Sequence, residues 1–155
     1  MGMKPEKRIM LYWFVQASII SGILSSIVAG ALSFLIQERA LEIFLILLTL
    51  GNILAAIHTF YRYRSWDYEV KNDHLYLEHG VLVKVKTIVP FVRIQHVDTQ
   101  KDVVDRFLGV SSVVVYTAGS RGSDVSIPGV IPKQAGELQD SLKNKAVGSE
   151  DRDGV

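Results

Sequence analysis

Positions 9–36, IMLYWFVQASIISGILSSIVAGALSFLI, run for 28 residues without one Asp, Glu, Lys or Arg. About 20 such residues cross a hydrocarbon layer about 30 Å thick. A second apolar stretch, 40–61, carries a single formal charge, Glu42, near its start, and only Gln37, Glu38 and Arg39 separate the two. Helices joined by so short a link are antiparallel neighbours. The pattern predicts a transmembrane hairpin with helices at about 10–36 and 40–61. A secretory signal has a shorter apolar region and a small-residue cleavage pattern. Myristoylation at Gly2 wants Ser or Thr where Glu6 stands.

The flanks set the expected orientation. Lys4, Lys7 and Arg8 precede the first helix, Arg62 and Arg64 close the second, and the link holds only Arg39. Basic residues at both outer ends predict cytoplasmic N- and C-termini in a multi-pass plasma-membrane protein. Tyr12, Trp13 and Phe14 with Phe60, Tyr61, Tyr63 and Trp66 form the matching aromatic belt. Ser18, Gly22, Ser26 and Gly30 recur every four residues, as do Gly51 and Ala55. Small residues at this spacing let helix backbones approach in lipid. With the turn centred near residue 38, Gly51 is expected opposite Ser26, Ala55 opposite Gly22, and Asn52 within hydrogen-bonding reach of Ser25. Asn52, Glu42 and His58 are read as packing and interface residues, because two helices alone enclose no conduction path.

After Arg62 the composition changes: the last 93 residues hold 12 Lys+Arg and 13 Asp+Glu. Apolar and polar residues now alternate with a period of two, the mark of half-buried strands. Strands are predicted near 66–71, 75–79, 81–89, 92–99, 111–117 and 124–130, with a short helix over 101–108 stopped by Gly109. Pro132, suited to a first helical position, opens a second helix with Ala135, Leu138 and Leu142 facing inward. The domain is expected over 63–146, preceded by a basic arm at 1–8 and followed by a disordered tail at 147–155. If Pro90-Phe91 is a two-residue hairpin turn, Val83, Val85, Thr87 and Val89 share a core face with Val92, Ile94, His96 and Asp98. Lys84, Lys86, Arg93 and Gln95 then gather on the outer face.

The segment 89–119, VPFVRIQHVDTQKDVVDRFLGVSSVVVYTAG, resembles the bacterial pleckstrin-homology-like domain of YdbS-like membrane proteins. The matching features are Pro90, Arg93, Ile94 and Gln95, the R-F-L-G run at 106–109, and Val113, Val115 and Tyr116 through Gly119. The W-x-Y-E-V opening at Trp66 and the E-H-G-V run at 78–81 fit as well. The resemblance implies an α+β membrane protein: a two-helix transmembrane hairpin followed by a pleckstrin-homology-like antiparallel β domain of two sheets, closed by a C-terminal helix. Such a fold carries lipid headgroups, peptides or proteins, so it selects no ligand by itself.

The chemistry of the sequence points away from catalysis. With no cysteine there is no thiolate metal site and no thiol nucleophile. His58, His74, His79 and His96 form no metal-binding spacing, and no G-x-S-x-G elbow occurs. Asp98, Asp102 and Asp105 read as a solvated, helix-flanking set, and the run at 119–123 reads as a hairpin loop in preference to a phosphate cradle. A net charge of +1 argues against nucleic acid. The expectation is a membrane-anchored, non-catalytic module without cofactor or metal. It would engage a membrane-protein partner or assemble with itself, the strand at 124–130 offering an edge. The alternative is anionic headgroup binding through Lys84, Lys86, Arg93 and Gln95, joined by Arg62 and Arg64 near the bilayer; a transporter or enzyme component ranks lower.

Overall fold

The computed structural model describes residues 2–33, 39–118 and 125–153. It divides into two units, Met10–Arg62 and the combination of Met1–Ile9 with Tyr63–Val155. The expected continuation of the first helix to 36, the link at 37–38 and the loop at 119–123 lie outside the described residues.

Helices α1 (Ile9–Ser33) and α2 (Ala40–Ser65) account for the first unit. Each contains an apolar window of which only 11% is buried, with Ile19, Ile23, Ile27, Ile46, Ile53 and Leu54 all more than half exposed. A water-soluble helix hides such residues on one face; these are apolar on every side, as lipid requires. Arg62 lies over the Trp13 ring at 4.3 Å, joining the outer ends of the antiparallel pair.

The packing face differs from the expected stripe. Ser25 and Ala29 are buried on α1, whereas Ser26 and Gly30 are exposed, and an added Cβ at Gly30 would meet nothing within 4 Å. The buried pair keeps the four-residue spacing but lies one residue earlier, about 100° round the helix from the expected stripe. The register is corrected too. Gly51 meets Ser21 in place of Ser26, and a Cβ added at Gly22 would come nearest to Leu48 Cδ1, at 3.9 Å, not to Ala55. Asn52 Nδ2 donates to Leu48 O at 2.8 Å within its own helix, and Ser26 Oγ donates to Gly22 O at 2.8 Å. Both side chains thus satisfy themselves locally. Ala55 is buried as expected, while Ser18 Oγ is buried without a hydrogen-bond partner.

The second unit contains two three-stranded antiparallel sheets. β1 (Asp67–Val70), β2 (His74–His79) and β3 (Val85–Pro90) form the first, in that order. β4 (Ile94–Gln100), β5 (Ser111–Thr117) and β6 (Val125–Val130) form the second, with the short helix α3 (Val103–Leu108) between β4 and β5. α4 (Pro132–Asp153) packs against β4 and β5. Its Ala135, Leu138, Leu142 and Ala146 are buried on one helical stripe, and Leu75, Leu77, Val89, Val113, Val115 and Ile127 are buried in the two sheets. Gln139 ties α4 to β4, donating to Val97 O at 2.6 Å and accepting from Thr99 Oγ1 at 3.0 Å. α4 is helical through Asp153, so the tail expected from 147 is an extension of the helix. Once a helix is anchored through Ala146, each added residue gains a backbone hydrogen bond without a new nucleation cost.

The basic arm also belongs to the fold. Met3 pairs with Tyr68 at the edge of β1, exchanging backbone hydrogen bonds of 2.7 and 2.9 Å, and Glu6 N donates to Gly129 O at 2.7 Å. Ile9 is 2% exposed and rests on Gly129, whose φ of +67° suits glycine. The domain is therefore built from both flanks of the hairpin, not from 63–146 alone. Burial, and then the nearby Glu6 carboxylate, hold the Tyr68 hydroxyl pKa above its ordinary value.

Candidate functional site

β3 and β4 do not pair with each other, contrary to the expected hairpin. Phe91–Arg93 form a 3-10 turn, with Phe91 only 2% exposed, that carries the chain from one sheet to the other. β3 pairs with β2 instead (Glu78 with Lys86, Leu75 with Val89), and β4 pairs with β5. Residues 81–84 form a loop in place of the expected strand start. A bulge between Ile94 and His96 then reverses the alternation, so Val97 is buried and His96 is exposed, stacked on Tyr116 at 4.1 Å.

The expected basic face is dispersed as a result. Lys84 and Lys86 flank Glu78, at 3.6 and 3.7 Å from its two carboxylate oxygens, and Tyr76 Oη donates to the same carboxylate at 2.8 Å. That hydrogen bond first, then the two lysines, hold the Glu78 pKa below the usual carboxylate value; the same hydrogen bond raises that of Tyr76. Arg93 ends the 3-10 turn and reaches the carbonyl of Ala118 at 3.3 Å. Gln95 is exposed beside the β4 bulge. Arg62 belongs to the hairpin unit, and the backbone carbonyl of Arg64 accepts from Lys4 Nζ at 3.4 Å. The structure brings Lys84 and Lys86 together, and gives them an acid in common.

Two features escape the sequence reading. Asp105 is buried, not solvated, and its Oδ2 accepts from the Asp102 amide at 3.4 Å and Ser112 Oγ at 3.5 Å, capping α3. Its place three residues after Asp102, before an apolar pair, was the available signal. The second is the edge of the first sheet. Among the described residues β3 has a ladder partner on one side only, and its Val85 and Ile88 are 42% and 60% exposed. The edge expected at 124–130 is partly occupied, since Gly129 O is taken by the arm. Among the described residues no group of three His, Asp or Glu converges as a metal site.

Two lipid-facing helices followed by two antiparallel sheets and a closing helix define a membrane protein with a pleckstrin-homology-like domain. A family model, Bacterial PH domain, matches residues 15–146, and the chain belongs to that family. It is 33% identical over 85 residues to the UPF0699 transmembrane protein YdbS of Bacillus subtilis (strain 168). That alignment covers 55% of this chain and 52% of the relative, so the chain matches about half the length of that curated protein. No solved structure matches.

Proposed function

We propose that this protein is a non-catalytic binding module of the plasma membrane, whose domain receives a strand or loop of a membrane-protein partner, or of a second copy, along the outer edge of β3. The observation that carries this reading is the one-sided pairing of β3 together with the exposed Ile88. An open edge offers a row of backbone donors and acceptors, and adjoining side chains supply selectivity. Lys86 on the same strand guards against indiscriminate pairing, as charges on edge strands do. The headgroup alternative, as one shared basic strand face, loses its geometry: Lys84 and Lys86 lie beside Glu78 on the first sheet, while Arg93 ends the 3-10 turn at the Ala118 carbonyl. Arm and domain form one unit, so they share a side of the membrane; Lys4, Lys7, Arg8, Arg62 and Arg64 against Arg39 favour the cytoplasmic side.

A photo-crosslinking residue at position 88 of the full chain, activated in native membranes, tests the reading against the same residue at Asn72, an exposed turn position. The expected result is a discrete protein adduct or a dimer from position 88 and none from position 72. No adduct at 88, or the same adducts at both, overturns it.

A further inference from the structure

Two segments of the domain hold large apolar side chains in the open. In the loop after β2, Leu82 is 96% exposed and Val83 74%; on α3, Phe107 is 87% exposed. Side chains of this size are ordinarily sheltered from water, and exposure in clusters marks an interaction surface. Gly80, at a φ of +112°, turns the chain out of β2 in a conformation suited to glycine, and the Val83 carbonyl lies where a side chain would stand.

Both segments lie where the chain leaves the domain for its apolar spans. β2 ends at His79, whose ring stacks on Trp66 at 4.8 Å, and Trp66 directly follows the last residue of α2. Leu82 is three residues beyond His79, at most about 11 Å of chain. On the other side, the carbonyl of Leu108, next to Phe107, accepts from Arg8 Nη1 at 3.2 Å, and Arg8 directly precedes α1. Each apolar knob thus adjoins one of the two exits toward the membrane, with an exposed cation, Lys84 or Arg106, beside it in sequence. The opposite end of β2, with the turn at Asn72, is about 20 Å away along the strand.

We propose that Leu82 with Val83, and Phe107, are bilayer anchors that enter the headgroup layer of the leaflet at which α1 begins and α2 ends, with Lys84 and Arg106 at the depth of the lipid phosphates. Lipid is the occupant that fits: it accepts two knobs on separate elements without matched shape, and its anionic headgroups complement the adjoining cations. The exposed ion pair of Lys84 with Glu78 is weak enough to yield to a phosphate. This goes beyond the β3-edge reading and does not depend on it.

The chain has no cysteine, so single cysteines can be introduced without further change. Leu82→Cys, Phe107→Cys, Ile88→Cys and Asn72→Cys variants of the full chain, each carrying an environment-sensitive dye, are reconstituted in phosphatidylethanolamine–phosphatidylglycerol vesicles. At 82 and 107 the emission is expected to shift to the blue and to be quenched by nitroxide attached to lipid near the headgroup, while 72 emits as in water. Water-like emission at both positions overturns the proposal. Quenching at only one refutes the two-point arrangement, and a blue shift without lipid quenching assigns the knobs to protein contact instead. The dye at 88 reports the β3 edge separately, so either reading can fail alone.

Discussion

Replacing Gly129 with Ala tests whether the N-terminal arm is a fixed part of the domain. Gly129 sits at a φ of +67°, where a Cβ costs about 1–2 kcal/mol per residue. That Cβ would also stand 2.9 Å from Ile9 Cβ and 3.2 Å from Ile9 Cγ1. Ile9 is 2% exposed and cannot give way freely, so overpacking adds about 1–3 kcal/mol. The expected loss is about 2–5 kcal/mol, the sum of these two ranges. Denaturant unfolding in detergent micelles can be followed by Trp66, buried in the domain, with Trp13 replaced by Phe to silence the hairpin. Trypsin cleavage at Lys7 reads release of the arm. Ile9→Ala alone should cost about 2–5 kcal/mol, but less in the Gly129→Ala background, because the two substitutions share one contact. Full additivity, or a Gly129→Ala variant with unchanged unfolding and a protected Lys7, would show that this contact does not fix the arm.

The hairpin register predicts an asymmetry: the Cβ of Gly51→Leu drives into Ser21, whereas the Cβ of Gly22→Leu would make only an ordinary contact, 3.9 Å from Leu48 Cδ1. Thermal unfolding in detergent should fall for the first by the equivalent of about 1–3 kcal/mol and change little for the second; equal effects would restore the register expected from the sequence. Gly80→Ala forces a Cβ into an unfavourable φ and against the Val83 carbonyl, so strain and overpacking together should cost about 2–5 kcal/mol in denaturant unfolding. The folded state lowers the Glu78 pKa, chiefly through Tyr76 and then through Lys86 and Lys84. Its contribution is therefore complete above the unfolded value of about 4.3 and is lost as pH falls through the lower folded value. The melting temperature of the native protein should thus fall more steeply below that point than that of Glu78→Gln.

The hairpin was legible because its signal is local: 28 uncharged residues admit few other folds. The inward face of α4 was legible for the same reason, each buried residue lying three or four positions from the last. Strand pairing was not. Alternation says that residues 85–90 and 94–100 are extended and which residues alternate, but it does not name the neighbouring strand. Pro90-Phe91 reads as a tight hairpin turn, yet it is a crossing between sheets because Phe91 is drawn into the core. The basic face depended on that pairing and dissolved with it. The small-residue stripe failed in phase, not in spacing: the buried Ser25 and Ala29 also lie four apart, and the repeat alone does not say which of two adjacent rows meets the partner helix. The docking of the arm had the faintest signal, a Gly in β6 where a strand residue with a side chain would ordinarily stand.

That last miss carries the most structural consequence. Met3 extends the β1 edge, Glu6 bonds to β6, and Ile9 fills the space over Gly129, so the arm touches both sheets. The arm and the rest of the domain are separated in sequence by the whole hairpin. They can meet only when both ends of the hairpin emerge on one side of the bilayer. If α1 alone inserted, the arm and residues 66–153 would lie on opposite faces. The edge of β1 would then lose Met3, and the site over Gly129 would lose Ile9. Completion of the domain is therefore coupled to correct insertion of two spans. A chain that inserted one helix would carry an incomplete domain, open at a sheet edge and prone to unwanted pairing.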